Sequence, residues 1–191
     1  MPYLFPWPNG TTSPGIKAQY DELAYNFIVA GGGANGGSFD HDDGSSFYND
    51  HHNFEVYGGH KSDFDGHAKR SMNNVHAYSN VYGAKCVGIM NLPHAAPNDF
   101  FAEAYSGNKC ILAADAGYLD MGSCTPDATL ANRMILGNNT IYTPNAAPTV
   151  SCGKTYSFKD WVALGLDVGT TAATLPDAAT IIGWARETLG M

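Results

Sequence analysis

Along this chain an asparagine repeatedly stands directly before a short strand-forming stretch: Asn26-Phe-Ile-Val, Asn53-Phe-Glu-Val, Asn74-Val-His-Ala, Asn80-Val-Tyr-Gly, Asn108-Lys-Cys-Ile, Asn132-Arg-Met-Ile and Asn139-Thr-Ile-Tyr. The two steps between the first three are each roughly 20 to 30 residues, the spacing of stacked repeats. Strands so short, rich in β-branched and aromatic residues and punctuated by Gly, Asn and Asp, suit a stacked parallel sheet. An asparagine at each corner has a mechanism. It tolerates the left-handed backbone of a tight corner and can hydrogen-bond to its equivalent in the next turn. The expected fold class is all-β, a right-handed parallel β-helix in which loops of unequal length leave fixed corners. A β-sandwich of about eight short strands is the competing architecture, disfavoured because hairpin signals are scarce.

The chain of 191 residues fits one domain, with 44% hydrophobic and 15% charged residues, a composition that folds around a core. Residues 1–23 read as an irregular N-terminal segment, 24–150 as β-helix turns and 151–191 as a C-terminal cap. Ser157 and Asp160 form a capping box that opens a short helical turn through Trp161. Pro176 and Asp177 start a helix that runs from Ala178 to Leu189 and stops at Gly190. Ile181, Ile182, Ala185 and Leu189 share one face of it, and it is expected to cover the open end of the last turn. No cap is evident at the other end. Residues 1–25, further turns of a longer β-helix, or a partner chain are the candidates for covering it.

Lys and Arg total 10 against 18 Asp and Glu, a net charge of −8, which argues against a nucleic-acid partner. No apolar run is long enough to span a membrane. The N-terminus lacks the layout of a signal peptide, yet the composition looks extracellular. Cys86, Cys110, Cys124 and Cys152 allow two disulfides in three connectivities, or buried free thiols. The absence of a CxxC pair argues against a finger-type zinc site.

One segment stands apart. Between Phe39 and Arg70 lie Asp40, Asp42, Asp43, Asp50, Asp63 and Asp65, with His41, His51, His52, His60 and His67 and the bases Lys61, Lys69 and Arg70. Titratable groups that share a cleft perturb one another, as acid–base chemistry requires. Asp40 and Asp42 stand two apart and project to one side of an extended segment, with Asp43 on the other. Such a pair supplies the two carboxyls of glycoside hydrolysis, with Asp63 or Asp65 from the next turn as a further partner. Lys61 and His60 fall one turn later, about 5 Å away if registers match. His67 and His76 extend the same groove, with Tyr57 and Tyr78 as stacking platforms. The alternatives are a plain turn at Asp42-Asp43-Gly44-Ser45 and calcium held by Asp40, Asp42 and Asp43. A transition metal is not expected, because no HxH or HxxxH pair occurs and His51 and His52 point to opposite faces. The run Gly31–Gly37 reads as a corner, not a phosphate cradle.

The run Asp40-His-Asp-Asp-Gly-Ser-Ser46, followed by Gly58-Gly-His-Lys61 and Asn73-Asn74-Val, resembles the pectin-lyase-like superfamily of right-handed β-helix carbohydrate-active proteins, glycoside hydrolases among them. The resemblance covers about residues 24 to 115. It implies a secreted protein acting on a polysaccharide without an obligatory cofactor. On that reading Asp40, Asp42, Asp43 and Asp63 are catalytic, and His41, Tyr57, His60, Lys61, His67, Arg70, His76, Tyr78 and His94 bind substrate. A polysaccharide lyase or uronate epimerase is the enzymatic alternative. In it Lys61 or His67 removes the C5 proton, a tyrosine protonates the leaving oxygen and calcium is held by the acidic turn. A non-catalytic glycan-binding module is the third reading.

Overall fold

The computed structural model describes residues 19–30, 37–42, 45–63, 68–81, 85–90, 103–131 and 134–191. The strands recur in threes. The first turn is β1 (Asp21–Ala24), β2 (Phe27–Val29) and β3 (Phe39–His41), and the second is β4 (Tyr48–His51), β5 (Phe54–Val56) and β6 (His60–Asp63). The third is β7 (Arg70–Met72), β8 (Val75–Ala77) and β9 (Val87–Met90). The fourth is β10 (Glu103–Ser106), β11 (Lys109–Ile111) and β12 (Gly117–Asp120). After α1 (Ala128–Ala131) come β13 (Met134–Gly137), β14 (Thr140–Thr143) and β15 (Thr149–Cys152), then β16 (Lys154–Ser157) and α2 (Phe158–Val162). The chain ends with β17 (Asp167–Val168), β18 (Thr171–Thr174) and α3 (Ala178–Leu189). Each strand pairs with its equivalent in the next turn, giving three parallel sheets, β1-β4-β7-β10-β13-β17, β2-β5-β8-β11-β14-β18 and β3-β6-β9-β12-β15. Among the strands of the described residues, β16 alone joins antiparallel, beside β15. The fold is a parallel β-solenoid, as the asparagine repeat predicts.

A column of buried amides runs up the corner between the first and second sheets. The Asn53 N–H and Nδ2 donate to Asn74 Oδ1 at 2.9 and 3.1 Å. The Asn74 N–H donates to Asn108 Oδ1 at 2.8 Å, and the Asn108 N–H to Asn139 Oδ1 at 2.9 Å. Asn26 begins the column, and Thr170, accepting from the Asn139 N–H at 3.1 Å, ends it. The left-handed residue is not the asparagine itself, as the sequence suggested, but its predecessor: Tyr25, His52, Asn73, Gly107, Asn138 and Gly169 all have φ between 53° and 78°. The strained corner thus sits one residue earlier and frees the ladder amide for hydrogen bonding. Gly107 and Gly169 lie where a Cβ would collide with the Asn73 and Asn138 side chains. Asn80 is exposed and outside this column, and Asn132 lies outside the described residues.

The interior changes character along the axis. In the later turns it is apolar, with Val87, Leu112, Leu119, Ile141, Val150 and Trp161 all fully buried in one cluster. Disulfides Cys86–Cys110 and Cys124–Cys152 join elements of this half, with Cα separations of 6.0 and 4.8 Å. Trp161, on α2, packs into it, so α2 and its Ser157 cap cover the last turn. The longer helix α3 is placed differently from the sequence expectation. Asp177 caps its start and Gly190 its end, as predicted. It lies along the outer side of the second sheet, however, with Ile181 against Phe54, Val75, Ala77 and Ile111. That sheet is apolar on its outer side too, and a helix stripe buries it. Trp184, not Ile182, completes the stripe, packing on Tyr142 at 5.3 Å between ring centroids, while Ile182 is exposed. Among the described residues no helix is long and apolar enough to cross a membrane.

Two predictions follow from the packing. Asn74 Nδ2 donates to Asp50 O at 2.9 Å and Ser71 Oγ at 3.1 Å besides serving the column. Asn74→Ala strands buried donors and costs about 2–4 kcal/mol in chemical unfolding, whereas Asn26→Ala at the exposed end costs about 1 kcal/mol or less. Asp167, 2% exposed, accepts from the Tyr118 and Thr170 hydroxyls, and burial raises its pKa from 3.8 to about 6. The folded carboxyl therefore holds its proton more tightly than the unfolded one. Its contribution is full below pH 3.8 and is lost as pH rises through about 6. That loss is on the order of 3 kcal/mol, and Asp167→Asn removes this slope from the pH–stability profile.

Candidate functional site

Two groups of chemically active side chains occupy opposite sides of the same strands. On β3 and β6 the register pairs Asp40 with Lys61, and both face outward from the third sheet. Lys61 Nζ lies 2.7 Å from Asp40 Oδ1 and 3.5 Å from Asp42 Oδ1. The lysine is 9% exposed, while the two carboxylates face solvent. In the same outward column follow Gly88, Asp120 and Ser151. Burial pushes the Asp120 carboxyl up, but the Lys85 ammonium and the Gly122 N–H hold it below its usual range. Around the corner after the second sheet Tyr57 and Tyr78 sit on successive turns with ring centroids 6.3 Å apart.

Strand alternation turns the neighbouring residues inward. His41 and His60, each 4% exposed, meet the fully buried Asp50 inside the solenoid. His41 Nε2 is 2.5 Å from Asp50 Oδ2. His60 Nδ1 is 3.4 Å from the same oxygen, outside hydrogen-bonding geometry. Burial alone raises the Asp50 carboxyl, yet the two imidazoles hold it below its ordinary value. Burial lowers His60 against the pull of Asp50, so its imidazole is neutral at pH 7. One turn on, His76 Nδ1 lies 3.2 Å from Glu55 Oε1, both fully buried, with the ring stacked on Tyr105. Glu103 accepts from the Ser62 hydroxyl at 3.0 Å and pairs with Lys69 Nζ at 3.0 Å.

The residues expected to form one groove are thus distributed. Asp40, Asp42 and Lys61 come together on the outer side of the third sheet, with Tyr57 and Tyr78 at its adjoining corner. His41, His60 and His76 are inside. Arg70 projects from the first sheet over the Tyr20 ring at 4.4 Å. Asp63 ends β6 in register with Met90, its side chain beyond what is described. Asp43, Asp65, His67 and His94 lie outside the described residues. The sequence reading gave no role to Asp50, Glu55 or Glu103. A signal for two of them was present. Residues three before each ladder position (Leu23, Asp50, Ser71, Tyr105, Leu136, Asp167) are mutual neighbours in the first sheet, and those two after (Ile28, Glu55, His76, Cys110, Ile141) in the second. From Asp50 and Glu55 onward, every member of both rows is buried.

The interior cluster predicts acid sensitivity. His60 is depressed from 6.5, so its contribution is full above that pH and falls as the solution becomes more acidic. Asp50 is depressed from 3.8, so its contribution is lost at still lower pH. In metal-free protein Asp50→Asn abolishes the lower component and costs about 3–5 kcal/mol at neutral pH, because it breaks a buried pair from one side. Denaturant unfolding across a pH series reads both.

Compared with protein-family models, with curated proteins and with solved structures, the chain finds no match, and its function is read from these side chains.

Proposed function

We propose that this is an extracellular carbohydrate-active protein that binds a polysaccharide along the outer side of the third sheet and hydrolyses its glycosidic bonds. The observation that carries the reading is the pair of solvent-facing carboxylates, Asp40 and Asp42, within 2.7 and 3.5 Å of one ammonium. Both reach the same Lys61 ammonium, which gathers at one point of this face the two carboxyls that glycoside hydrolysis uses. Asp40, in the closer ion pair with Lys61, is the nucleophile in this reading and attacks the anomeric carbon as the glycosidic C–O bond breaks. Asp42 is the acid/base partner in this reading: it enters the cycle protonated, passes that proton to the leaving oxygen, and regains one from the water that releases the sugar.

Other features agree with this reading. A parallel solenoid offers outward columns at about 4.8 Å spacing, on which an extended glycan can lie. Tyr57 is exposed at the corner after the second sheet and suits a sugar ring, while Tyr78 packs against the cluster that holds α3. Two disulfides suit an oxidising compartment. The calcium-dependent lyase reading is less well supported. The Lys61 ammonium already occupies the cation position between Asp40 and Asp42, and a lysine held there is not a free base. A binding module without hydrolysis uses the same face and is separated only by assay.

The test is a panel of neutral and uronic polysaccharides, with and without calcium. The expected result is new reducing ends without unsaturated uronate absorbance, reduced about 10²–10⁴-fold in Asp40→Asn and Asp42→Asn. Calcium-dependent absorbance would replace hydrolysis by elimination. Retention on a polysaccharide without cleavage, unchanged in the Asp42→Asn variant, would establish a binding module.

A further inference from the structure

The interior of the first two turns holds more unsatisfied chemistry than a structural core needs. His41 comes from β3, Asp50 from β4 and His60 from β6, and one donor atom from each lies within 4.8 Å of the other two. All three side chains are at most 5% exposed. Asp50 Oδ1 and His60 Nδ1 are buried without a hydrogen-bond partner. A carboxylate oxygen removed from water and left without a donor costs about 1–3 kcal/mol or more, so such a pair calls for a ligand between them. The spacing is also that of a coordination shell. Zinc–nitrogen and zinc–oxygen bonds of about 2.0–2.2 Å set neighbouring donors roughly 3.4 Å apart at tetrahedral angles. His60 Nδ1 and Asp50 Oδ2 already stand 3.4 Å apart without hydrogen-bonding geometry. His41 Nε2 and Asp50 Oδ2, at 2.5 Å, need to open by less than about 1 Å to match that spacing.

We propose that His41 Nε2, the Asp50 carboxylate and His60 Nδ1 bind a divalent transition-metal ion of the zinc class, which clips the first turn of the solenoid to the second. Two imidazoles and one carboxylate favour zinc and its neighbours over calcium or magnesium, which prefer all-oxygen shells. Glu103, fixed by Ser62 and Lys69, lies close enough to His60 to add negative potential behind the site. Burial gives the ion a structural task. The later turns have an apolar core and two disulfides, whereas the first two are filled by His41, Asp50, Glu55, His60 and Ser62. An ion that binds only the folded chain adds its binding free energy to folding. The site does not depend on the carbohydrate reading.

The test uses the full chain, unfolded with chelator and refolded with or without Zn2+ or Co2+. The expected result is one Zn2+ retained per chain, a Tm that rises with free Zn2+, and tetrahedral-type visible bands with Co2+. His60→Gln and His41→Gln lose the bound equivalent. His76→Gln, whose ring is buried beside Glu55, and the double variant His51→Gln/His52→Gln, which removes the outer pair near Glu22, keep it. His60→Cys distinguishes ligation from folding, since it retains the ion and adds a thiolate–cobalt charge-transfer band. Wild-type protein that refolds without taking up either ion overturns the proposal. So does uptake that survives in His60→Gln and disappears in the His51/His52 variant.

Discussion

The column of buried amides from Asn26 to Asn139, closed by Thr170, is the interaction on which the rest of the structure depends. Each amide ties its own turn to the next through backbone and side-chain donors together. Between successive turns of a parallel stack there is no short turn to fix the register, and a one-residue slip would exchange inside for outside along a whole strand. The ladder prevents that slip, because an amide displaced by one residue leaves buried donors unpaired. Once it is in place the contents of the interior follow: the residue three before and the residue two after each ladder position line it.

That rule explains why the two halves of the solenoid are stabilised differently. In the later turns the inward positions carry Tyr105, Cys110, Leu136 and Ile141, which pack with Trp161 into an apolar core. In the earlier turns the same positions carry Asp50, Glu55, Ser71 and His76. Phe39 adds apolar burial to that part, but these four add little, and ion pairs, at best, roughly offset their desolvation. Both disulfides also belong to the apolar half. The outer side of the second sheet compensates partly, since α3 lies back along it and covers Phe54 and Val75. The remaining need for a cross-link in the first two turns falls where His41, Asp50 and His60 converge.

The sequence revealed the solenoid through its asparagines, and the helix limits through Ser157, Asp177 and Gly190, because these are local signals with a local cause. It also anticipated that Asp40 and Lys61 would be neighbours one turn apart. Other features were hidden because they depend on register. The density of Asp and His between Phe39 and Arg70 looked like one active face. Alternation instead sends Asp40 and Lys61 outward and His41 and His60 inward from the same two strands. Asp50, read as one more acidic residue, lies at the centre of the inner group. The helix α3 was expected over the open end because the last turn of a solenoid needs a cover. The sequence of the second sheet, apolar at Phe54, Val56, Val75, Ala77 and Ile111, already contained the surface it covers.

This alternation couples the two sites mechanically. On β3, Asp40 and His41 are consecutive; on β6, His60 and Lys61 are consecutive. The distance between the Asp40 carboxylate and the Lys61 ammonium is therefore set by the same inter-strand register that sets the approach of His41 and His60 to Asp50. The outer pair faces solvent and, at the surface, contributes little to fixing that register. The inner group is desolvated, and its His41–Asp50 contact at 2.5 Å is stronger and more directional. The geometry of the solvent-facing carboxylates is thus fixed from behind, by buried groups that never touch a ligand on the outer face. A chain that places ionisable residues inside its first turns loses packing energy there, and gains a rigid support for the face that those strands expose.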